Sequence, residues 1–176
     1  MKTEAMLNRE VGLVLAALTP QNRLVMRVAL HTGLRIGDIL SLKTEALRPH
    51  FWVTESKTGK RRQIGLPEPL LGDLQASAGA VWVFEGRSPE KHRTRQAVWK
   101  DVKRAAKAFR LRANIAPHSA RKTYAADLLA KYGDIEKVRR ALNHSNYAVT
   151  MIYAMADQQR QAKEKRRAQQ TKKGHS

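Results

Sequence analysis

The chain has 176 residues, enough for one domain with a hydrophobic core and too few for two comfortable ones. It contains no cysteine, which excludes disulfides, thiolate chemistry and cysteine zinc sites, and no apolar run long enough to predict a membrane span. Lys and Arg number 34 against 15 Asp and Glu, a net charge of +19. So large a positive excess favours a polyanionic partner such as nucleic acid.

The first predicted elements are two helices. Thr19 followed by Pro20 is typical of an N-cap and a first helical position, and the apolar spacing over residues 21–31 predicts a helix there. Gly33 interrupts this pattern. A second, short helix is then predicted over residues 35–43.

A β-hairpin is predicted next. Residues 51–54 and 62–66 are rich in strand formers, and the turn between them contains Gly59. A helix over residues 70–76 and a short apolar strand or extended segment over residues 80–84 are expected to follow.

The rest of the chain has a helical pattern. Helices are predicted over residues 94–109, 118–131, 134–142 and 146 to about 167, the second of them ending at Gly133. In the last helix an apolar stripe at i, i+3, i+4 and i+7 predicts the core-facing side: Ala148, Met151, Ile152 and Met155. Tyr124, Tyr132 and Tyr147 are interpreted as packing residues. The predicted class is mainly α with a small antiparallel β-sheet (α+β), with no internal domain boundary.

Four local patterns contain residues suited to chemistry. The first is the stretch from His31 to Asp38, in which Arg35 follows a glycine and opens a helix. A guanidinium offers planar, paired donors that suit phosphate oxygens. Asp38 lies three residues on and can brace Arg35 or a neighbour. The alternative is a surface ion pair between these two residues.

The second pattern is the hairpin tip over residues 56–62. A lysine on a β-turn can reach into a groove and donate a proton. The alternative is a solvated polar turn. Composition does not choose among Lys57, Lys60, Arg61 and Arg62.

The third pattern is His118 and Arg121, just after Pro117. On a helix they share a face that Ala125, Leu128 and Leu129 continue, so both are expected on an inward stripe. Polar groups placed in this way suggest a site, because burying them without partners is costly. The alternative is a helix start at the rim of the domain, where both side chains stay wet.

The fourth pattern joins His144 to Tyr153, nine residues later. By helical geometry Tyr153 lies well away from the predicted apolar stripe of its helix, so it is either half-exposed or faces a site. The alternative is an ordinary amphipathic tyrosine.

In this order and spacing the four patterns resemble the tyrosine recombinase (phage integrase) family, and especially lambda-type integrases. The resemblance covers roughly residues 10–157. It implies the fold of a tyrosine recombinase catalytic domain over residues 1–157, followed by a basic C-terminal tail over residues 158–176. The helical core-binding domain that most members carry first is expected to be absent, since 34 residues precede Arg35.

The resemblance also implies residue roles. The catalytic residues would be Arg35, Lys57, His118, Arg121, His144 and Tyr153, with Asp38 in a supporting position. The tyrosine attacks a DNA phosphodiester and forms a 3′-phosphotyrosyl link, with the first histidine as base and the lysine as proton donor to the departing oxygen. The two arginines stabilise the phosphate charge, and the second histidine donates a hydrogen bond to it. Asn143 replaces the family's usual glycine, and asparagine tolerates a positive φ better than most residues.

The implied function is site-specific DNA recombination by strand exchange, for integration, excision or inversion. No cofactor and no metal are expected. The partners would be double-stranded DNA, three further copies of the chain in a tetramer and an accessory DNA-bending protein. The protein would be bacterial or phage-encoded and would act on DNA in the cytoplasm. The alternatives are a non-catalytic DNA-binding protein on the same scaffold and a type IB topoisomerase-like enzyme that relaxes DNA.

Overall fold

A computed structural model describes residues 3–143 and, beyond them, residues 150, 151, 155, 158, 162, 163, 165 and 166. The helices within residues 3–143 are α1 (Asn8–Ala17), α2 (Pro20–Thr32), α3 (Ile36–Leu40), α4 (Glu68–Ser77), α5 (Arg95–Ala108), α6 (Pro117–Tyr132) and α7 (Ile135–Ala141). Between α3 and α4 lie a 3-10 turn (Thr44–Ala46) and the strands β1 (His50–Thr54) and β2 (Arg61–Gly65). The eight later residues are all helical. The predicted class, mainly α with one small antiparallel sheet, is confirmed.

Helix α2 lies at the centre of the domain. It packs against α1, α3, α4, α5 and α6, and its predicted apolar face is buried. The helix ends at Gly33, whose left-handed φ of 63° a side chain would strain. A Cβ there would also lie 2.3 Å from the Tyr124 ring. Glycine therefore lets the chain turn close to α6 just before Arg35.

Helix α1 is an addition to the predicted elements. It buries Val14 and, just after its last turn, Leu18, while Met6 and Leu7 are buried immediately before it. The segment before the helix is tied to α6, because the Met6 amide donates to Thr123 Oγ1 at 2.9 Å. Met6, Val14 and Leu18 thus belong to the same hydrophobic core as α2.

The hairpin has the predicted antiparallel form, with Phe51 opposite Ile64 and Trp52 opposite Gln63. Phe51 and Ile64 are buried, whereas Trp52 is exposed with the Arg61 guanidinium 5.1 Å from its ring centroid. One face of the hairpin therefore joins the core and the other faces solvent. Residues 80–84 form no named strand, and the contact there is an isolated bridge between Lys43 and Trp82.

Two expectations about apolar side chains are wrong. Met151 and Met155 are 42% and 57% exposed, whereas Thr150 is completely buried, so the inward side of the helix passes through Thr150 and not through the methionines. The other two residues of that stripe, Ala148 and Ile152, lie outside the described residues. Tyr132 is also exposed, with the Lys131 and Lys137 ammonium groups each 5.0 Å from its ring centroid.

No helix in the described part of the chain is long and apolar enough to cross a membrane.

A buried carboxylate joins α2 to α5. Asp101 Oδ2 accepts hydrogen bonds from Thr19 N (3.0 Å), Thr19 Oγ1 (2.8 Å) and Asn22 Nδ2 (2.7 Å), and its Oδ1 accepts from Arg104. Burial alone raises the pKa of Asp101, but these hydrogen bonds outweigh it and lower the pKa to about 2. Thr19 therefore begins α2 by donating to Asp101, and its hydroxyl does not cap the helix.

We expect Asp101→Asn to lower the free energy of unfolding by about 2 kcal/mol at pH 7, because the folded state prefers the ionised carboxylate. A depressed native pKa gives stability that is present above the unfolded value of 3.8 and lost as the pH falls toward about 2. Urea unfolding at a series of pH values checks this. The gap between wild type and variant should narrow below about pH 4, and a gap that is constant down to pH 2 would contradict the assignment.

Candidate active site

Arg35 is the residue immediately before α3, with an extended backbone (φ −71°, ψ 145°). Helix α3 is shorter than predicted and ends at Leu40. The Arg35 guanidinium forms an ion pair with Glu55 of the hairpin. The pairing proposed for Arg35 and Asp38 is not formed, which removes the surface-pair alternative.

Asp38 instead braces the hairpin. The sequence had left open whether its partner is Arg35 or a neighbouring residue, and the partner is Ser56. Its Oδ1 accepts hydrogen bonds from Ser56 N at 3.0 Å and Ser56 Oγ at 2.6 Å. Asp38 itself is buried in the first turn of α3. The helix that follows Arg35 is therefore fastened to the residue that precedes Lys57.

Lys57 lies at the exposed tip of the hairpin. The turn is closed by the Glu55 carbonyl, which accepts from Thr58 N at 3.2 Å and Gly59 N at 2.8 Å. Gly59 has a φ of 66°, the conformation for which glycine is best suited. The backbone of the turn is thus fixed by hydrogen bonds, whereas the Lys57 side chain is exposed to solvent.

Arg121 is buried in the first turns of α6, with 2% of its surface exposed. Its Nη1 donates to the Gly33 carbonyl at 2.5 Å and its Nη2 to the Leu142 carbonyl at 2.7 Å. His118, one turn earlier, keeps part of its surface exposed, while the rest of the ring is shielded by the surrounding chain. The prediction of an inward-facing side chain is therefore correct for Arg121. For His118 the alternative applies, a solvated position at the rim of the domain.

A cavity of about 620 Å³ brings the predicted residues together. Arg35, His118 and Arg121 all line it, and Arg95, Gln96 and Trp99 of α5 form part of its wall. Lys57 does not line the cavity, but its charge is near enough to affect His118. Three positive or proton-carrying side chains, one from the residue before α3 and two from α6, thus face one space.

The electrostatics of the cavity keep His118 neutral. Partial burial is the main cause that lowers its pKa, and the positive charges of Arg121, Lys122, Arg35 and Lys57 lower it further, to about 4. A neutral imidazole can accept a proton, which is what a general base needs at neutral pH.

Two residues of the site were not singled out from the sequence. Glu55 carries no motif of its own. Arg62 was one of several cations at the hairpin tip, and the structure gives it a different role. Its Nη2 donates to the Thr32 carbonyl at 2.6 Å and its Nη1 to the Ala141 carbonyl. The sequence shows only that Arg62 lies in a predicted strand. Nothing in that position distinguishes an arginine that binds backbone carbonyls from one that is solvated.

Asn143 has a φ of 55°, so the backbone does adopt the conformation for which asparagine is a tolerated substitute for glycine. His144 and Tyr153 lie outside the described residues. Within the described part of the chain, no group of three or more His, Cys, Asp or Glu side chains could hold a metal ion.

Guanidinium groups that face a cavity beside an exposed lysine are suited to bind a phosphodiester. Comparison with known proteins agrees. A model of the phage integrase family matches residues 5–160. The probable integrase/recombinase YoeC of Bacillus subtilis is 31% identical over 135 residues, which are 73% of this chain and 74% of that protein. The chain belongs to the phage integrase family.

Other relatives are longer. The tyrosine recombinase XerD of Rhizobium meliloti is 30% identical over 133 residues, 69% of this chain but 43% of that protein. A tyrosine recombinase of Thermosipho africanus is 28% identical over 86% of this chain and 57% of its own length. The chain therefore spans about half the length of several curated relatives that it matches.

Solved structures identify the fold. A lambda integrase (75-356) dimer bound to a COC′ core site has a TM-score of 0.72 at 21% identity, with 87% of this chain and 59% of that chain covered. The catalytic domain of bacteriophage HP1 integrase has a TM-score of 0.66 at 20% identity, with 88% and 89% covered. The fold is that of a tyrosine recombinase catalytic domain, as predicted.

In the DNA-free protein, we expect His118 to titrate at about pH 4, well below the ordinary 6.5. Burial and nearby cations disfavour the imidazolium, so the ring stays neutral until the solution is distinctly acidic. NMR titration of the histidine ring protons measures this, and His118→Gln assigns the signal by its loss. A midpoint near 6.5 would show that the cavity does not perturb the ring.

Arg62→Lys should lower the free energy of unfolding by about 2 kcal/mol, because a lysine cannot donate to the Thr32 and Ala141 carbonyls at once. Chemical denaturation measures the change. The matched control is Arg61→Lys on the neighbouring exposed residue, expected to change stability by less than about 0.5 kcal/mol. Equal effects of the two changes would contradict a special role for Arg62.

Proposed function

We propose that residues 1–157 form the catalytic domain of a site-specific DNA recombinase that cleaves and rejoins DNA through a covalent link to Tyr153. The observation that carries the proposal is the shared cavity of Arg35, His118 and Arg121 in a chain of the phage integrase family. The net charge of +19 favours binding to the DNA backbone.

In the proposed reaction the two arginines bind the non-bridging oxygens of the scissile phosphate. Negative charge grows on these oxygens as the pentavalent transition state forms, and preorganised cations stabilise that charge. Arg121 is held by two backbone carbonyls and Arg35 by Glu55, so neither guanidinium needs much reorganisation when DNA binds. His144 is assigned a further hydrogen bond to the phosphate.

Proton transfer is assigned to His118 and Lys57. A phenol has a pKa near 10, so the tyrosine needs a base, and the neutral His118 ring can take its proton. The departing 5′ oxygen needs a proton in turn, and the exposed Lys57 ammonium on the hairpin can supply it. Asp38 supports this arrangement by fixing Ser56, next to Lys57.

Cleavage leaves a 3′-phosphotyrosyl link on the protein and a free 5′-hydroxyl on the DNA. The covalent link conserves the energy of the broken bond, so the 5′-hydroxyl of a second duplex can reverse the step without ATP. Strand exchange between two duplexes then gives integration, excision or inversion.

The proposed partner is double-stranded DNA, with the chain acting as a homotetramer together with an accessory DNA-bending protein. Two structural neighbours support the DNA partner: XerH recombinase is bound to its difH substrate and the lambda integrase dimer to its core site. The proposed site of action is DNA in the cytoplasm, for a protein encoded by a bacterium or a phage. The basic segment over residues 158–176 is proposed as a tail that contacts a neighbouring copy or DNA phosphate.

The test is capture of the covalent intermediate. The protein is incubated with a labelled library of nicked duplexes with randomised sites, since a nick lets the released fragment diffuse away and traps the adduct. We expect a labelled protein–DNA band on a denaturing gel with wild type and none with Tyr153→Phe, which removes one oxygen. Sequencing the trapped DNA identifies the preferred site.

The matched control is Tyr132→Phe, which removes the same atom from an exposed tyrosine and should leave the adduct unchanged. An adduct that persists in Tyr153→Phe would identify a different nucleophile. Salt-dependent DNA binding without any adduct would favour the non-catalytic scaffold.

A further inference from the structure

The carboxylate of Glu55 is in an unusual position. Its side chain is completely buried, with 0% of its surface exposed, and its Oε2 forms an ion pair with Arg35 Nη1, whose side chain is 25% exposed. Arg35 lies on the wall of the cavity, so Glu55 holds this guanidinium from the protein side while the open side faces the space where a phosphate would bind.

The same residue closes the turn that carries Lys57. The Glu55 amide donates to the Lys60 carbonyl at 3.0 Å, and the Glu55 carbonyl accepts from Thr58 N and Gly59 N. Its side chain also accepts a long hydrogen bond from Thr58 Oγ1 at 3.4 Å. The residue therefore links the first arginine, through its side chain, to the lysine hairpin, through its backbone.

Fold stability does not explain this carboxylate. Glu55 Oε1 is buried and has no hydrogen-bond partner in the part of the chain that the structure describes. A buried carboxylate with one unsatisfied oxygen is a poor choice for stability, and apolar residues of similar size often serve as well or better. What Glu55 provides, and an apolar residue at this position could not, is the ion pair with Arg35.

We propose that Glu55 is a positioning residue that acts through Arg35, holding the guanidinium in the orientation that receives the scissile phosphate. The inference rests on the proposed recombinase function. An arginine has several rotatable bonds, and fixing them only when DNA binds costs conformational entropy. A charge-assisted bond to one guanidinium edge removes part of that freedom in advance, and the planar group keeps further N–H donors for an anion.

The experiment compares two scissile linkages, using nicked duplexes of the site recovered from the randomised library. One duplex has the normal phosphodiester and the other a methylphosphonate, in which a methyl group replaces a charged oxygen. The methylphosphonate carries no net charge for Arg35 to neutralise. A defect that acts through Arg35 therefore affects the phosphodiester selectively, whereas a general loss of folding affects both.

The main variant is Glu55→Gln, which keeps the shape of the side chain and removes its charge. We expect adduct formation on the phosphodiester to slow by at least about tenfold, and on the methylphosphonate by less than about threefold. DNA affinity should not fall, because Glu55 is buried and touches no solvent. The matched control is Asp73→Asn, which removes the acid of the exposed Arg27–Asp73 ion pair and should leave both rates unchanged.

Glu55→Asp separates orientation from charge. It keeps the carboxylate but withdraws it by one methylene, so the same selective loss is expected if reach to Arg35 is what matters. Thermal unfolding of each variant verifies the fold. Equal slowing on the two linkages, or no slowing, would overturn the inference while wild-type adducts still form. Absence of wild-type adducts, or their persistence in Tyr153→Phe, would instead overturn the proposed function on which it rests.

Discussion

Two arginine side chains hold the site together by binding consecutive carbonyls at two helix ends. Arg62 donates to the carbonyls of Thr32 and Ala141, and Arg121 to the carbonyls of Gly33 and Leu142. Carbonyls at a helix C-terminus lack intrahelical donors and carry partial negative charge, so a guanidinium there satisfies acceptors and complements the helix dipole. Because both arginines bridge α2 to α7, the ends of these helices are joined through Arg121, a residue that lines the cavity.

This bridge explains how residues far apart in the chain become neighbours. Arg35 follows three residues after Thr32, and Asn143 follows directly after Leu142. Arg62 adds the hairpin to the same junction, since it reaches from β2, the strand that begins just beyond Lys57's turn. The burial of Arg62 lowers its pKa, because a guanidinium loses water there. Hydrogen bonds to the two carbonyls replace part of the lost hydration. Removing either arginine leaves unsatisfied carbonyls as well as a lost contact, so stability and site geometry are coupled.

The sequence predicted those parts of the fold whose causes are local. Breakers such as Gly33 and Gly133 gave correct helix ends, because each acts on its own backbone. The inward face of the last helix was wrong, since it depends on what the helix packs against and not on its own spacing. The partner of Asp38 could not be predicted: the sequence left open whether this residue braces Arg35 or a neighbour, because the answer depends on where the hairpin packs. Glu55 was missed for the same reason, because its partner lies 20 residues away and no spacing rule connects them.

The described cations differ in how firmly they are held, and the difference follows the demands of the proposed reaction. Arg121 is fixed by two backbone carbonyls and Arg35 by one buried carboxylate, whereas Lys57 extends into solvent from a turn with a firm base. A group that stabilises developing charge is most effective when it is already in place, because reorganisation would cost part of the stabilisation. A group that gives a proton to the departing 5′ oxygen, and takes it back when the strand rejoins, must follow an oxygen that moves away. A lysine held in one orientation would serve only one of those two positions, so an exposed side chain on a well-anchored turn fits a reversible reaction.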